Sequence, residues 1–315
     1  SLSRELNYNV MFSQRGMIIV VHSPAEMEIM ARLVNAMQIN GADAELFAPE
    51  DVRRVAPLLN FDANARFPVF GGVWQGRAGV ARHDAVAWGY ARAADRLGVD
   101  IIQNCEVDDF LIEGGRCKGV VTRNGTIRAE RVGMTVAAHS AVMAGKAGFE
   151  LPMHPYTLQA MVSEPVKPIL NTVVLSLGTG TYVSQSDKGE LVFGGGLDRI
   201  TSYAQRGNPP THEQVIAGLV EMFPSFGQLK LLRQWGGTVD VVPDSSPIIG
   251  PSPVDGLYLN CGWGTGGFKA IPAGGWLLAH LLARGKHHTI SRPFDLSRFA
   301  RGALIDEAAG SGIAH

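Results

Sequence analysis

The sequence predicts an α/β (α+β) fold, in which an incomplete parallel α/β module is interleaved with a mostly antiparallel sheet. Three observations lead there. Helical and strand-like periods alternate before residue 150, alternating apolar runs separated by turn residues fill 155–240, and the chain closes on a strand, a glycine loop and an apolar helix. The domain division this implies is 1–150 with 241–315 as the α/β module, part of 1–80 contributing to the sheet, and 151–240 as the antiparallel domain.

GMIIVVH (16–22) is mostly β-branched and reads as a strand. Ser23-Pro24 then opens a helix to about Met37, with proline at the first helical position and Gly41 beyond its end. PEDVRRVAPLL (49–59) is a short helix halted before Pro57. A second clear helix is DAVAWGYARAADRLG, with Asp84 as its N-cap and Gly98 as its stop, and VDIIQN (99–104) follows as a buried strand. Gly114-Gly115 and Asn124-Gly125 mark hairpins between short strands. RVGMTVAA (131–138) is a buried strand running into a short helix.

YTLQAMVS, NTVVLSL, TYVSQS and ELVFGG form the antiparallel set, with a hairpin turn at Asp187-Lys188-Gly189 and a helix at about 212–222. VVPDSSPIIG (241–250) is a proline-punctuated loop whose Asp244 is either structural or lines a site. LYLNC (257–261) is the last strand, and the last helix covers about 272–284.

Composition narrows the function classes. A net charge of −1 creates no field for nucleic acid or an anionic membrane, and 46% hydrophobic with 18% charged residues is ordinary for an enzyme. No apolar run is long enough to span a bilayer, and no signal peptide is present, so a cytoplasmic location is expected. The three cysteines, Cys105, Cys117 and Cys261, are odd in number and lack metal-ligand spacing, which argues for a reducing compartment and against a metal site.

Two segments could carry chemistry. In CGWGTGGFK (261–269), Gly262, Gly264 and Gly267 formally match G-x-G-x-x-G, but no second strand with an acidic residue follows, as a nicotinamide site requires. The segment instead presents bare backbone at a helix N-terminus, a place for negative charge, with Lys269 adding a full positive charge. A glycine turn beside a solvated lysine is the plainer alternative. In RAGVARHDAVAWG (77–89), His83 is either an ordinary helix-start residue bonded to a neighbour or a functional group. His139 follows a buried strand, and His287-His288 lies in a polar, solvated turn.

Taken in order, the ARHDAVAWG helix, the Ala137–Ser140 turn, W-G-G-x-x-D, P-D-x-x-P-I-I-G and CGWGTGGFK resemble the D-amino acid oxidase-type FAD-dependent oxidoreductase family. Within it, ARHDAVAWGYARAAD, VSEP, YVSQSDKGELVFGGG, EMFPSFG and CGWGTGGFKA are most similar to the beta subunits of heterotetrameric sarcosine oxidases. The resemblance implies that the α/β module is an incomplete FAD-binding Rossmann-like domain and that the sheet is a substrate domain. It implies oxidation of sarcosine at non-covalent FAD, by transfer of a hydride equivalent. It further implies that electrons pass through a covalent FMN to oxygen, giving hydrogen peroxide, and that the methyl carbon leaves as formaldehyde or is captured by tetrahydrofolate. Alpha, gamma and delta subunits are the implied partners.

Carried over residue by residue, His83 matches the histidine bonded to FMN, and Lys269 the lysine that pairs with the substrate carboxylate near the flavin. Gly264 and Gly267 match backbone contacts to FAD, and Val107 the strand residue that meets adenine. Negative charge developing at the flavin N1 and C2 carbonyl would be stabilised by the loop amides and Lys269. Gly237 stands near the place where monomeric relatives have an FAD-bonding cysteine, which fits non-covalent FAD.

Two departures from the family pattern matter. Ala138 replaces a family glycine, where a methyl could crowd a close backbone approach. The chain also opens on SLSRELNYNVMF rather than on a strand with a glycine loop, so the family's first βαβ unit is expected to be missing and residues 1–315 alone to bind FAD poorly. Oxidation of a related amine such as dimethylglycine or glycine, and a truncated non-catalytic homologue, are the alternative functions.

Overall fold

The computed structural model describes residues 1–305. In chain order its elements begin with α1 (Leu2–Leu6), β1 (Phe12–Gln14), β2 (Met17–Val21), α2 (Pro24–Ile39), β3 (Ala44–Phe47), α3 (Pro49–Val55), β4 (Gly71–Gln75), β5 (Gly79–Ala81) and α4 (His83–Arg96). There follow β6 (Val107–Glu113), β7 (Arg116–Thr122), β8 (Gly125–Arg128), β9 (Val132–Met134), α5 (Ser140–Lys146), β10 (His154–Pro165), β11 (Val173–Ser176), β12 (Thr181–Gln185) and β13 (Glu190–Leu197). The chain continues with α6 (Pro209–Met222), β14 (Leu231–Val241), β15 (Ile248–Pro251), β16 (Leu257–Cys261), α7 (Gly267–Arg284) and α8 (Ser297–Ala300). The fold is mixed α/β, as the sequence predicts.

Two compact units share these elements. The first comprises 1–103, 159–196 and 206–235, and the second comprises 104–158, 197–205 and 236–315. The chain passes between the units after residues 103, 158, 196, 205 and 235, where the sequence pattern suggested 150 and 240.

The first unit is organised by an eight-stranded sheet in the order β14-β10-β13-β12-β11-β2-β4-β3. Most pairings are antiparallel, but β2 lies parallel to β11, with Ile18 opposite Val174. That parallel pair brings the first 80 residues into the sheet. The strands alternate between two faces: β12 buries Thr181, Val183 and Gln185 on one, while Tyr182 and Ser184 on the other are half-buried. α6 covers the sheet with Thr211, Val215, Gly218, Leu219 and Met222, spaced three and four apart on one face. Asn208 caps this helix by accepting from the Thr211 amide at 3.0 Å. The core joins Ile18, Val20, Met161, Val174, Val183, Leu191, Phe223 and Phe226. Each fully buried aliphatic chain there contributes about 1.5–3 kcal/mol.

Ser23 caps α2 by accepting from the Glu26 amide at 3.2 Å, at the predicted place. α4 starts two residues early: Arg82 rather than Asp84 is the N-cap, His83 is the first helical residue, and no side chain caps it. Asp84 sits inside the first turn instead, paired with Arg82 at 2.6 Å, where a carboxylate still complements the helix dipole. α4 is fastened by a small core of Leu6, Val10 and Val86 and by Arg96, which donates to the Leu6 carbonyl at 2.7 Å.

VDIIQN departs from expectation. Residues 99–104 form no strand, and Val99 and Ile102 are 53% and 59% exposed. β-branched residues favour a strand only where a neighbour offers hydrogen bonds and a packing face, and among the described residues no strand pairs with this segment.

The second unit contains the β6-β7-β8 meander, with its turns at the predicted glycines, and a sheet in the order β15-β16-β9. β9 and β16 run parallel, Leu257 opposite Val132. Its core gathers Phe110, Cys117, Met134, Leu151, Val242, Ile248, Leu257 and Leu259. α7 begins at Gly267, five residues before the predicted start, and continues through Pro272. A helix interior tolerates such a proline only by giving up one backbone hydrogen bond, and the apolar face that buries Leu277 and Leu281 holds the helix together regardless. Among the described residues no helix is long and apolar enough to cross a membrane.

Candidate active site

The glycine loop lies between β16 and α7, in the second unit. Gly262 and Gly264 both take left-handed backbone angles, with φ of +75° and +53°, which admit glycine without strain. Successive amides turned inward by such a backbone form a concave nest for negative charge. A carboxylate from the chain itself fills it. Asp240, on β14, accepts from the Gly262 amide at 2.5 Å, and the nearby amides of Trp263 and Gly264 also favour its charge. Asp240 is 4% exposed, and burial raises its pKa above the ordinary carboxylate range, an effect these amides oppose without cancelling. Burial and the Asp240 charge together push the neighbouring Cys261 thiol up to about 12, so it is no nucleophile.

Gly267 is bare for a packing reason. A Cβ there would lie 2.9 Å from the Trp263 Cβ, and one at Gly274 would lie 2.8 Å from the same indole. Trp263 therefore lies along α7, and its Nε1 donates to Asn260 Oδ1 at 2.7 Å while Asn260 donates to the Gly274 carbonyl at 3.1 Å. Gly264 is different: a Cβ there would meet nothing closer than the Asp240 carbonyl at 3.8 Å, so space remains open on that side.

Beyond the nest, the first turn of α7 has no side-chain cap and no acidic residue. Lys269 stands in that turn, is exposed, and makes no ion pair among the described residues. A cation beside the positive end of an 18-residue helix is unfavourable unless a negative group joins them. Uncapped amides, open space at Gly264 and the lysine therefore fit the electron-rich edge of a flavin and a substrate carboxylate.

The other predicted residues are dispersed. Val107 is in the same unit, exposed at the start of β6, where the ladder with β7 is interrupted by a bulge. His83 belongs to the first unit. It is exposed at the first position of α4 and makes no hydrogen bond among the described residues, so neither an ordinary helix-start contact nor an orienting bond holds its ring. Arg82 and Asp84 bond to each other beside it, and this holds the Asp84 carboxyl down at about 2. A solvent-facing imidazole on a fastened helix fits a covalent attachment.

Ala138 is buried, and its carbonyl accepts from the Tyr203 hydroxyl at 3.3 Å. His139 is exposed, with its ring 4.9 Å from that of Tyr203. Gly237 lies on β14 with nothing within 4 Å of a Cβ built there. Asp244 proves structural: it is buried in a two-bond pair with Arg298. His287 is half-buried and pairs with Asp295 at 3.1 Å, and His288 packs edge-on against Trp276, so neither is a freely solvated residue. No group of three metal-ligating side chains occurs among the described residues.

Asp240 is the residue that sequence reasoning passed over. Its signal was available in W-G-G-x-x-D: an acidic residue closing a strand just before a proline loop, with no cation nearby in sequence.

Residues 1–281 match the model of the family described as FAD dependent oxidoreductase. The sarcosine oxidase subunit beta of an Arthrobacter species is 48% identical over 314 residues, covering 100% of this chain and 78% of that protein. The sarcosine oxidase subunit beta of Rhizobium meliloti is 51% identical over 307 residues, covering 97% and 73%. Among solved structures, L-proline dehydrogenase from P. horikoshii superposes with a TM-score of 0.89 at 27% identity, covering 96% of this chain and 81% of that one. This chain belongs to the FAD dependent oxidoreductase family.

Proposed function

We propose that this chain is the substrate-oxidising subunit of a multisubunit sarcosine oxidase. The reaction converts sarcosine to glycine with dioxygen as the final two-electron acceptor, reduced to hydrogen peroxide, while the methyl carbon is released by water as formaldehyde or passed to tetrahydrofolate. The observation that carries this reading is likeness along the whole chain, at 48–51% identity, to proteins named sarcosine oxidase subunit beta. The uncapped, lysine-bearing start of α7 agrees with it.

When bound, FAD supplies the electron acceptor for oxidation of the substrate C–N bond. The protein's own contributions are positional and electrostatic. Gly264 leaves room for the cofactor to approach the backbone, the first-turn amides of α7 favour negative charge, and Lys269 pairs with the substrate carboxylate. In this reading FAD is non-covalent and an FMN is bonded to His83. The second unit, with Val107 against adenine and Gly264 and Gly267 against the flavin, is the FAD-binding part, and the large sheet of the first unit is the substrate domain. Alpha, gamma and delta subunits complete a heterotetramer in the cytoplasm.

The purified complex should lose its yellow colour when sarcosine is added without oxygen, and its acid precipitate should retain FMN while FAD washes out. A complex that reacts with dimethylglycine or glycine but leaves sarcosine untouched would replace this reading by that of a related amine oxidase. Absence of any flavin would make the chain a non-catalytic homologue.

A further inference from the structure

The nest at Gly262–Gly264 is the strongest anion site that the glycine loop can make, and its occupant is Asp240 rather than a ligand. A buried carboxylate with no cation to pair with it, among the described residues, is expensive to keep. The Gly262 amide, 2.5 Å away, is its compensation, with the amides of Trp263 and Gly264 adding to the favourable field, and this bond fixes how the backbone leaves β16. Two left-handed glycines would otherwise leave this turn free to take many conformations. The chain enters α7 immediately beyond, so the direction of the helix's first amides and of Lys269 depends on the turn.

We infer that Asp240 is a positioning residue: its carboxylate holds the Gly262–Gly264 turn, so that the cofactor is met by the first-turn amides of α7 and by Lys269 rather than by the loop nest. This rests on the proposal that FAD is held at this helix. It divides the glycine segment into two halves. The Gly262 amide binds the protein's own anion, while the open side of Gly264 and the backbone from Gly267 onward face the ligand. Asp240 acts through the turn and touches neither substrate nor flavin.

The test uses the purified multisubunit complex with Asp240→Val and Asp240→Asn. Valine suits a strand and replaces a buried charge with apolar volume, so the protein should still fold. It leaves the Gly262 amide without its acceptor. Asparagine keeps one acceptor oxygen and loses the charge. Amide exchange across 262–264, followed by mass spectrometry, should quicken at least tenfold in the valine variant whether or not FAD is present. FAD should bind at least tenfold more weakly, and the KM for sarcosine should rise more than kcat falls. Asparagine should restore FAD affinity to within about threefold of wild type.

Unchanged exchange at 262–264 in the valine variant would overturn the inference. Wild-type FAD affinity in that variant, or an asparagine variant as impaired as valine, would overturn it too. If valine does not fold, Asp240→Thr, with one hydroxyl acceptor, carries the test, and exchange at the wild-type rate would be equally fatal. A wild-type complex without FAD would instead remove the proposed function, and the exchange measurement would still decide whether Asp240 holds the turn.

Discussion

Arg298 and Asp244 face each other across a fully buried two-bond ion pair, 2.7 Å and 2.8 Å between donors and acceptors, with the guanidinium 1% exposed. Arg298 also donates to the carbonyls of Ser246 and Phe294, so every part of its planar fork is satisfied. The arginine thereby ties α8 to the proline loop before β15. Its partner's pKa is raised by burial and lowered, by a larger sum, through Arg298 and the amides of Ile305 and Ser246, so the net shift is downward.

Removing one side of this pair leaves a buried, unpaired charge. Arg298→Ala should therefore lower stability by about 3–5 kcal/mol. Because the folded-state pKa of Asp244 lies below its unfolded value, the pair's contribution is fully present above about pH 4 and fades as pH falls through the folded value. Denaturant melts of wild type and Asp244→Asn between pH 3 and 7 check this: the two should differ most near neutrality and converge in acid. Parallel curves would refute the assignment.

His83→Ala should abolish flavin that survives acid precipitation, while leaving the melting temperature within a degree or two. The side chain is exposed, and α4 is fastened through Leu6, Val86 and Arg96 rather than through His83. Mass spectrometry of the peptide spanning 77–92 should show the flavin adduct in wild type and none in the variant.

Lys269→Ala should slow reduction of bound flavin by sarcosine about 10²-fold, the usual loss when one preorganised electrostatic donor is removed. Carboxylate inhibitors should weaken in parallel. Stability should move by less than about 0.5 kcal/mol, since the ammonium makes no ion pair among the described residues. Stopped-flow reduction at pH 7 separates the outcomes, and an unaltered rate removes Lys269 from the site.

Gly267→Ala and Gly264→Ala should fail in different ways. At Gly267 the methyl would collide with Trp263, and overpacking of that kind costs about 1–3 kcal/mol, visible in the melt of the apoprotein. At Gly264 there is room, and the cost arises from a backbone angle of φ +53° that alanine rarely adopts. That variant should lose FAD affinity more than it loses stability.

Periodicity and turn chemistry made most elements legible in the sequence. Ser23-Pro24, the Gly114-Gly115 and Asn124-Gly125 hairpins and the alternation in β10 to β13 all act locally, and local signals survive folding. What escaped depends on pairings that periodicity and turn chemistry do not register. VDIIQN has strand composition, yet a strand exists only where another pairs with it. Arg82 takes up Asp84, and α4 consequently starts without the predicted cap. α7 runs through Pro272 because tertiary burial of Leu277 and Leu281 outweighs one lost hydrogen bond. Of the predicted site, Gly264, Gly267 and Lys269 share one loop and helix start, but the occupant of the nest comes from 22 residues upstream, a distance that motif spacing does not register.

Trp263 has a mechanical consequence. Its indole spans Gly267 to Gly274 along α7 and is pinned by Asn260, so the loop and the first two turns of the helix behave as a single stiff body. Such a body cannot swing aside as a flap. An opening at this end that kept these contacts would have to tilt the whole helix, a collective motion slower than the local swing of a glycine hinge.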